Sequence, residues 1–295
     1  MNRVLLAHLA VLVANIIYGA NYTIAKEVMP DYIEPFGFIV LRCLGATPLF
    51  WIIGFFIKEK VSNKDLGLLA IASVFGVAIN QLLFFKGLNF TTPINAAVIM
   101  PSTPIIVMII AAFALKEQIT IKKILGIAIG LSGTLLILLA GKKISFDSET
   151  FVGDLMIFVN ASCYGIYLVM ITPLMRKYHP ITVVKWVFLF GTITVLPCGW
   201  NEFLEIDFAT MPTNIIWACL YVVFGLSFFA YLLNIVALKK LSPSVVSIYV
   251  YLQPLLAAAF AISLGKDELT VIKVAAAVLI CTGVYLVSSK PKTIK

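Results

Sequence analysis

Within the long apolar stretches of this chain, asparagine, glutamine, tyrosine and a single arginine recur at helical spacing, and these residues could do chemistry there. Asn15, Tyr18 and Tyr22 stand at i, i+3 and i+7 and so share one helical face. Asn160, Tyr164 and Tyr167 repeat the pattern at i, i+4 and i+7, and Ser227, Tyr231 and Asn234 form a third stripe. Asn95 lies two turns from Ser102, Tyr249 one turn from Gln253, and Asn80 and Gln81 are adjacent in the middle of their stretch. Amides and phenols donate and accept hydrogen bonds without breaking covalent bonds. In a hydrocarbon solvent they must face the protein interior or a water-filled cavity. For any one asparagine, a hydrogen bond to a neighbouring helix, worth ~0.6–2 kcal/mol, serves as well as a solute contact. The paired stripes at 15–22 and 160–167 favour a cavity of amide and phenol groups around an amphipathic solute.

Arg42 is the one guanidinium inside an apolar stretch, about seven residues from its nearer end, or on the order of 10 Å at 1.5 Å per residue. It either binds a substrate carboxylate or caps carbonyls and snorkels toward the outer surface, because an unpaired charge at that depth is costly. Lys86 lies nearer an end and is expected to snorkel. No Asp or Glu falls at the centre of a stretch, and Asp154 marks the outer edge of one. A carboxylate proton relay therefore has no obvious residues, which points to facilitated diffusion or to coupling by other means. His8 and His179 are the two histidines, and neither joins a HExxH, a Ser–His pair or two aspartates within a span. An intramembrane enzyme is therefore disfavoured, and no metal or cofactor is expected. The five cysteines, Cys43, Cys163, Cys198, Cys219 and Cys281, are scattered in apolar stretches without a CxxC, and are expected to be buried packing residues.

These residues need elements to hold them. The chain has 295 residues, 61% hydrophobic and 12% charged, where a soluble domain carries about a quarter charged residues. The charges bunch between apolar runs of about 18–25 residues, the length a helix needs to cross a ~30 Å hydrocarbon core. The pattern predicts an all-α membrane protein of ten transmembrane helices at 4–25, 35–57, 66–88, 93–115, 121–141, 152–174, 181–200, 213–237, 243–264 and 271–289. The first run is too long, and lacks a small-x-small site, to be a cleaved signal peptide. Thr92 before Pro93 and Ser242 before Pro243 look like capping hydroxyls ahead of a first-turn proline. The longest polar connections are Lys142–Thr150 and Asn201–Met211. The net charge of +8 comes with no basic stripe interleaved with aromatics, so nucleic acid is not an expected partner; the lipid bilayer is. With the N-terminus inside, fifteen Lys and Arg fall on the cytoplasmic side and six on the other, which places both termini in the cytoplasm of a bacterial inner membrane.

The chain also repeats. A shift of 150 residues lays Pro93 on Pro243, Pro104 on Pro254, Lys116 on Lys266, Thr120 on Thr270, Lys123 on Lys273 and Gly133 on Gly283. The halves are 1–145 and 146–295. Five spans per half is an odd number, so the second half enters the bilayer upside down, as in transporters whose inverted repeats open alternately to each side of a midplane site. Pro101, Pro104 and Pro254 each delete one helical hydrogen bond and are candidate hinges. Gly126, Gly130 and Gly133 line one helix for close packing inside the bundle or at a dimer seam, leaving monomer and homodimer both open.

The segments IIYGANYTIAK (16–26), PFGFIVLR (35–42), the stretch 95–138 and the stretch 247–287 resemble the EamA family of the drug/metabolite transporter superfamily. In both halves a proline is followed about a dozen residues later by an acidic residue and then by glycines in the next helix. Tyr18 stands where the family often has tryptophan, and Asp267-Glu268 shifts the acidic position of the second half. The resemblance implies a ten-helix bundle whose central cavity is lined by helices 1, 3, 4, 6, 8 and 9. It also implies export of a small-molecule solute and leaves its identity open; the abundant Tyr, Asn and Gln with one buried cation suit a zwitterion, which puts amino acids or related compounds first. A membrane receptor or assembly subunit is the alternative, although the chain shows neither a soluble sensing domain nor a long tail.

Overall fold

The computed structural model describes residues 3–91, 93–139, 150–263 and 268–289. Its elements are α1 (Arg3–Val28), α2 (Pro35–Gly54), α3 (63–90), α4 (93–115), α5 (Ile121–Leu139), α6 (Phe151–Lys177), α7 (Pro180–Leu204), α8 (Thr213–Leu238), α9 (243–263) and α10 (Val271–Ser288). Among the described residues nine helices are long and apolar enough to cross a bilayer, and Pro243–Ala259 is a shorter apolar one. Polar side chains collect inside, while Phe113, Ile121, Val271 and Tyr285 stand exposed on the outer surface, as expected where lipid is the solvent.

Helix starts follow local chemistry. Pro35 and Pro180 occupy first-turn positions after extended Glu34 and His179. Ser62, Thr120 and Thr270 accept from the backbone N–H three residues on, each at 3.3 Å. Ser242 departs from its expected role. Its hydroxyl bonds no backbone N–H and instead donates to Glu117 Oε1 at 2.6 Å, because the carboxylate is the stronger acceptor. Thr92 and most of the Lys142–Thr150 connection lie outside the described residues. The predicted connection Asn201–Met211 is shorter than expected. Helix α7 runs on to Leu204, and Glu202 Oε2 accepts from Phe36 N at 2.7 Å and Gly37 N at 2.8 Å, so that one helix end neutralises the N-terminus of another. The cysteines are also not all buried: Cys43, Cys163 and Cys219 are, whereas Cys198 and Cys281 are exposed.

The sequence repeat reappears as geometry. Helix α4 breaks into a 3₁₀ turn at Met100–Ser102 and α9 at Tyr249–Tyr251, one residue from exact equivalence under the 150-residue shift. Helix α3 carries a π segment at Val74–Ile79 and α8 one at Tyr221–Ala230, which spans the shifted position. Lys123 Nζ donates to the Gln118 carbonyl at 2.9 Å and Lys273 Nζ to the Glu268 carbonyl at 2.5 Å, the same five-residue reach in each half. Packing obeys the same symmetry: α3 and α4 lie on α6 as α8 and α9 lie on α1, and the partners α2–α7 and α5–α10 pack on each other. The α5–α10 seam brings backbone against backbone. A Cβ at Gly126 would sit 2.8 Å from the Gly283 carbonyl oxygen, and one at Gly283 would sit 2.5 Å from that of Gly126. The glycine row of α5 is thus used inside the bundle.

The prolines flank the 3₁₀ turns. Pro101 lies within the first and Pro104 just beyond it, and Pro254 follows the second. Pro104 has no N–H for the Met100 carbonyl, and the Thr103 hydroxyl donates to that carbonyl instead at 2.8 Å.

Candidate functional site

The polar cluster lies beside the π segments of α3 and α8, two helices that Tyr231 joins by hydrogen bonds. Arg42, on α2, is 6% exposed, and its Nε donates to Ser227 Oγ at 3.1 Å. Ser227 sits in the π turn and donates in turn to the Val222 carbonyl five residues back, at 2.9 Å. One turn further along α8, Tyr231 accepts at its phenol oxygen from Gln81 Nε2 at 3.3 Å and donates to the Gly76 carbonyl at 3.4 Å. Phe188 of α7 meets the Tyr231 ring edge-on, with centroids 5.0 Å apart. Asn234 then reaches both halves at once, donating to Tyr18 Oη at 3.1 Å and to Tyr164 Oη at 3.4 Å. Tyr167 lies 6.3 Å from Tyr164, centroid to centroid, and its ring lies so close to Gly76 that a Cβ there would fall 2.3 Å from it.

The cluster is incompletely satisfied. Gln81 Oε1, Asn234 Oδ1 and Tyr167 Oη are buried and lack a partner among the described residues. Arg42 forms no ion pair among the described residues, and its two terminal nitrogens make no hydrogen bond there. Buried polar groups are ordinarily bonded, so a group of vacant donors and acceptors at one place points to something that fills them. Among the described residues Arg42 caps no carbonyl, and its buried side chain is turned toward Ser227 inside the bundle.

The remaining sequence candidates fall elsewhere. Asn15 donates to the Val11 carbonyl at 2.8 Å and accepts from Gln253 Nε2 at 2.9 Å, tying α1 to α9. Asn80 donates to the Asn160 carbonyl at 3.2 Å, and Asn160 donates to the Asn80 carbonyl in return, tying α3 to α6. Asn95 donates to both Asp154 oxygens at 3.3 Å; Thr91 also donates to Asp154, as does Thr150 at 3.4 Å, so this carboxylate clamps the starts of α4 and α6. Tyr249 bonds His8 Nδ1 at 2.8 Å, and the two line a side recess of about 480 Å³ with Cys281, Tyr285 and Ser288, away from the central cluster. Ser102, in the 3₁₀ turn of α4, has a buried hydroxyl without a partner among the described residues. The Tyr22 side chain lies outside the described residues. Ser227 falls in the cluster with the rest of its stripe, and Gly76 is the member that sequence reasoning missed, since nothing in the sequence marks it.

On the far side from this clamp, where the chain begins, Glu117 Oε1 accepts from Lys123 Nζ at 2.6 Å as well as from Ser242, holding the α4–α5 connection to the start of α9. Lys116, with φ of 55°, ends α4 in the left-handed conformation.

The pattern of the EamA-like transporter family matches residues 5–139 and again residues 151–289. The chain belongs to the EamA-like transporter family. It is similar to an "Uncharacterized transporter" of Archaeoglobus fulgidus, 26% identical over 96% of this chain and 97% of that one. It is likewise similar to the "Uncharacterized transporter YyaM" of Bacillus subtilis, 26% identical over 93% and 90%. A partial match, 25% identical over 45% of this chain and 44% of the other, is to a "Probable terminal-alkyne amino-acid exporter" of Streptantibioticus cattleyicolor. A solved crystal structure shares the fold with a TM-score of 0.79 at 16% identity, covering 97% of this chain and 98% of that one. This EamA-like protein is therefore a multi-pass membrane transporter, all-α, built as two inverted five-helix repeats.

Proposed function

We propose that this EamA-like transporter moves small amphipathic metabolites, amino acids or their relatives first among them, by alternating access around the cluster at Arg42, Tyr231 and Asn234. One observation carries the reading: Asn234 of α8 bonds Tyr18 of α1 and Tyr164 of α6, so a single amide joins helices of both repeats at the point where unfilled polar atoms collect. Repeats that rock against each other would remake those bonds, and a solute lodged there would sense which way the bundle opens. The partial likeness to an amino-acid exporter supports the solute class. The lysine and arginine bias supports a cytoplasmic placement of both termini in an inner membrane, and the halves are taken as 1–145 and 146–295. The described residues put no carboxylate in the central cluster, which supports facilitated movement without a buried acidic relay.

The test is release from proteoliposomes loaded with mixed amino acids, nucleosides and common organic acids, followed by mass spectrometry with and without a pH gradient. Selective loss of one solute class, reduced in Asn234→Ala, is the expected outcome. Retention of every solute by protein that is folded and correctly inserted would refute the reading and favour a receptor or assembly subunit.

A further inference from the structure

Among the described residues the central cluster contains a charge without a counter-charge. Arg42 offers five N–H donors, and one of them is used, by Nε to Ser227. The terminal nitrogens are also not sealed away, since the buried atoms without partners include Gln81 Oε1 and Tyr167 Oη but not these. The described carboxylates are spent or distant. Asp154 is held by Thr91, Asn95 and Thr150, Glu117 by Lys123 and Ser242, Glu202 by the start of α2, and Asp65 by Ser62, Lys177 and Tyr178. An interior guanidinium left in that state is expensive unless an anion enters to meet it.

The geometry also selects the anion. With Nε engaged by Ser227, the fork that remains is the terminal Nη1/Nη2 pair, which matches the two oxygens of a carboxylate. Ser227 is itself fixed by its bond to the Val222 carbonyl, available because the π turn brings the fifth preceding carbonyl within reach, so the fork is oriented before a ligand arrives. Among the described residues no lysine or second arginine joins the cluster, the buried Lys185 lying against the Gly54 carbonyl and the Trp51 ring, so the site suits a single negative charge better than a phosphate dianion. Two acceptors unpartnered among the described residues are tied to α8 within two turns of Ser227: Gln81 Oε1, whose amide bonds Tyr231, and Asn234 Oδ1, whose amide bonds Tyr18 and Tyr164.

We infer that Arg42 is the carboxylate-binding residue of this transporter and that its solutes are organic carboxylates, held end-on by the Arg42 fork with N–H groups directed to Gln81 and Asn234. The inference deepens the transport reading and rests on it for the word solute, while the binding claim is separately measurable.

The experiment pairs each acid with its neutral-headed twin: leucine with leucinamide, phenylalanine with phenylalaninamide. Counterflow in proteoliposomes and saturable binding to detergent-purified protein are measured for wild type, Arg42→Lys, Arg42→Gln and Ser227→Ala. Wild type should prefer the acids by roughly 30-fold or more, the order of loss when a charged hydrogen-bond partner is removed. Arg42→Gln should erase that preference by weakening the acids alone, and Arg42→Lys should restore part of it. Ser227→Ala should raise the KM for acids several-fold with the maximal rate unchanged, and it keeps the inference testable if Arg42→Gln does not fold. Equal handling of acids and amides by wild type, or movement of nucleosides in preference to both, would overturn the inference and leave transport standing. Saturable, Arg42-dependent binding of the acids without any flux would keep the inference and sink the transport reading. Folded protein that neither binds nor moves any acid would overturn the inference.

Discussion

Replacing Gly283 with alanine tests whether α5 and α10 are packed backbone against backbone. An ideal Cβ at Gly283 falls 2.5 Å from Gly126 O and 2.7 Å from Gly130 Cα and N. Carbon atoms pack comfortably near ~3.5–4.0 Å, so the two helices would have to part by on the order of 1 Å. All three obstructing atoms are backbone, and no rotamer change can give way. Alanine gains about 1 kcal/mol over glycine in helix propensity, against an overpacking cost of about 1–3 kcal/mol. Parting the seam also loosens Gly133 against Leu279 and Ala276, so the upper part of that range applies and the net loss is about 1–2 kcal/mol. Gly67→Ala is the matched control, because a Cβ there meets nothing within 4 Å. It should be neutral or stabilising by up to about 1 kcal/mol. The assay is unfolding in mixed micelles titrated with sodium dodecyl sulfate and followed by tryptophan fluorescence. A Gly283→Ala protein as stable as wild type, or a reversed order of the two variants, would refute the close-packed seam.

Tyr231→Phe removes the hydroxyl shared by Gln81 and the Gly76 carbonyl while leaving the ring against Phe188. Solute affinity in a binding titration should fall about 5–10-fold, the scale of one hydrogen bond, and stability by about 1–3 kcal/mol because the Gln81 amide and the Gly76 carbonyl lose their partner. Asn160→Leu cuts the reciprocal tie to Asn80 and should cost about 1 kcal/mol in the micelle titration without altering solute affinity. Asp154→Asn sets an amide NH₂ against Asn95 Nδ2, which now donates to both carboxylate oxygens; a stability loss of about 1.5–3 kcal/mol is expected, with the pH dependence of flux unchanged. If that variant instead flattened a steep pH dependence, Asp154 would be a coupling residue and the facilitated-diffusion reading would fail.

The sequence announces its helices because lipid imposes length and apolarity on every span, and it announces the repeat because prolines, lysines and glycines sit at fixed offsets. Its polar stripes show which helical faces point inward, but not what each amide meets. Asn15 and Asn234 have the same helical spacing to their neighbours, yet one ties α1 to α9 and the other joins the central cluster. That difference depends on where the helices cross. The π segments were invisible for a related reason: Val74–Ile79 and Tyr221–Ala230 are composed like any membrane helix, and the extra residue per turn is set by tertiary packing. Ser242 shows the same limit on a local rule, since a capping position predicted from Ser-Pro was overruled by a carboxylate remote in sequence.

The two 3₁₀ bends are alike in position but not in how they are fastened. In the first half Thr103 bonds the Met100 carbonyl of its own helix, whereas Gln253, 150 residues later, reaches across to Asn15 of α1. One bend is self-contained and the other is bolted to a neighbour. Under the alternating access proposed above, the orientation that keeps this bond is the favoured one. A membrane hydrogen bond of about 0.6–1.7 kcal/mol tilts a two-state balance by roughly 3- to 18-fold. Sequence drift at a single glutamine can thus reset the direction in which an otherwise symmetrical machine waits.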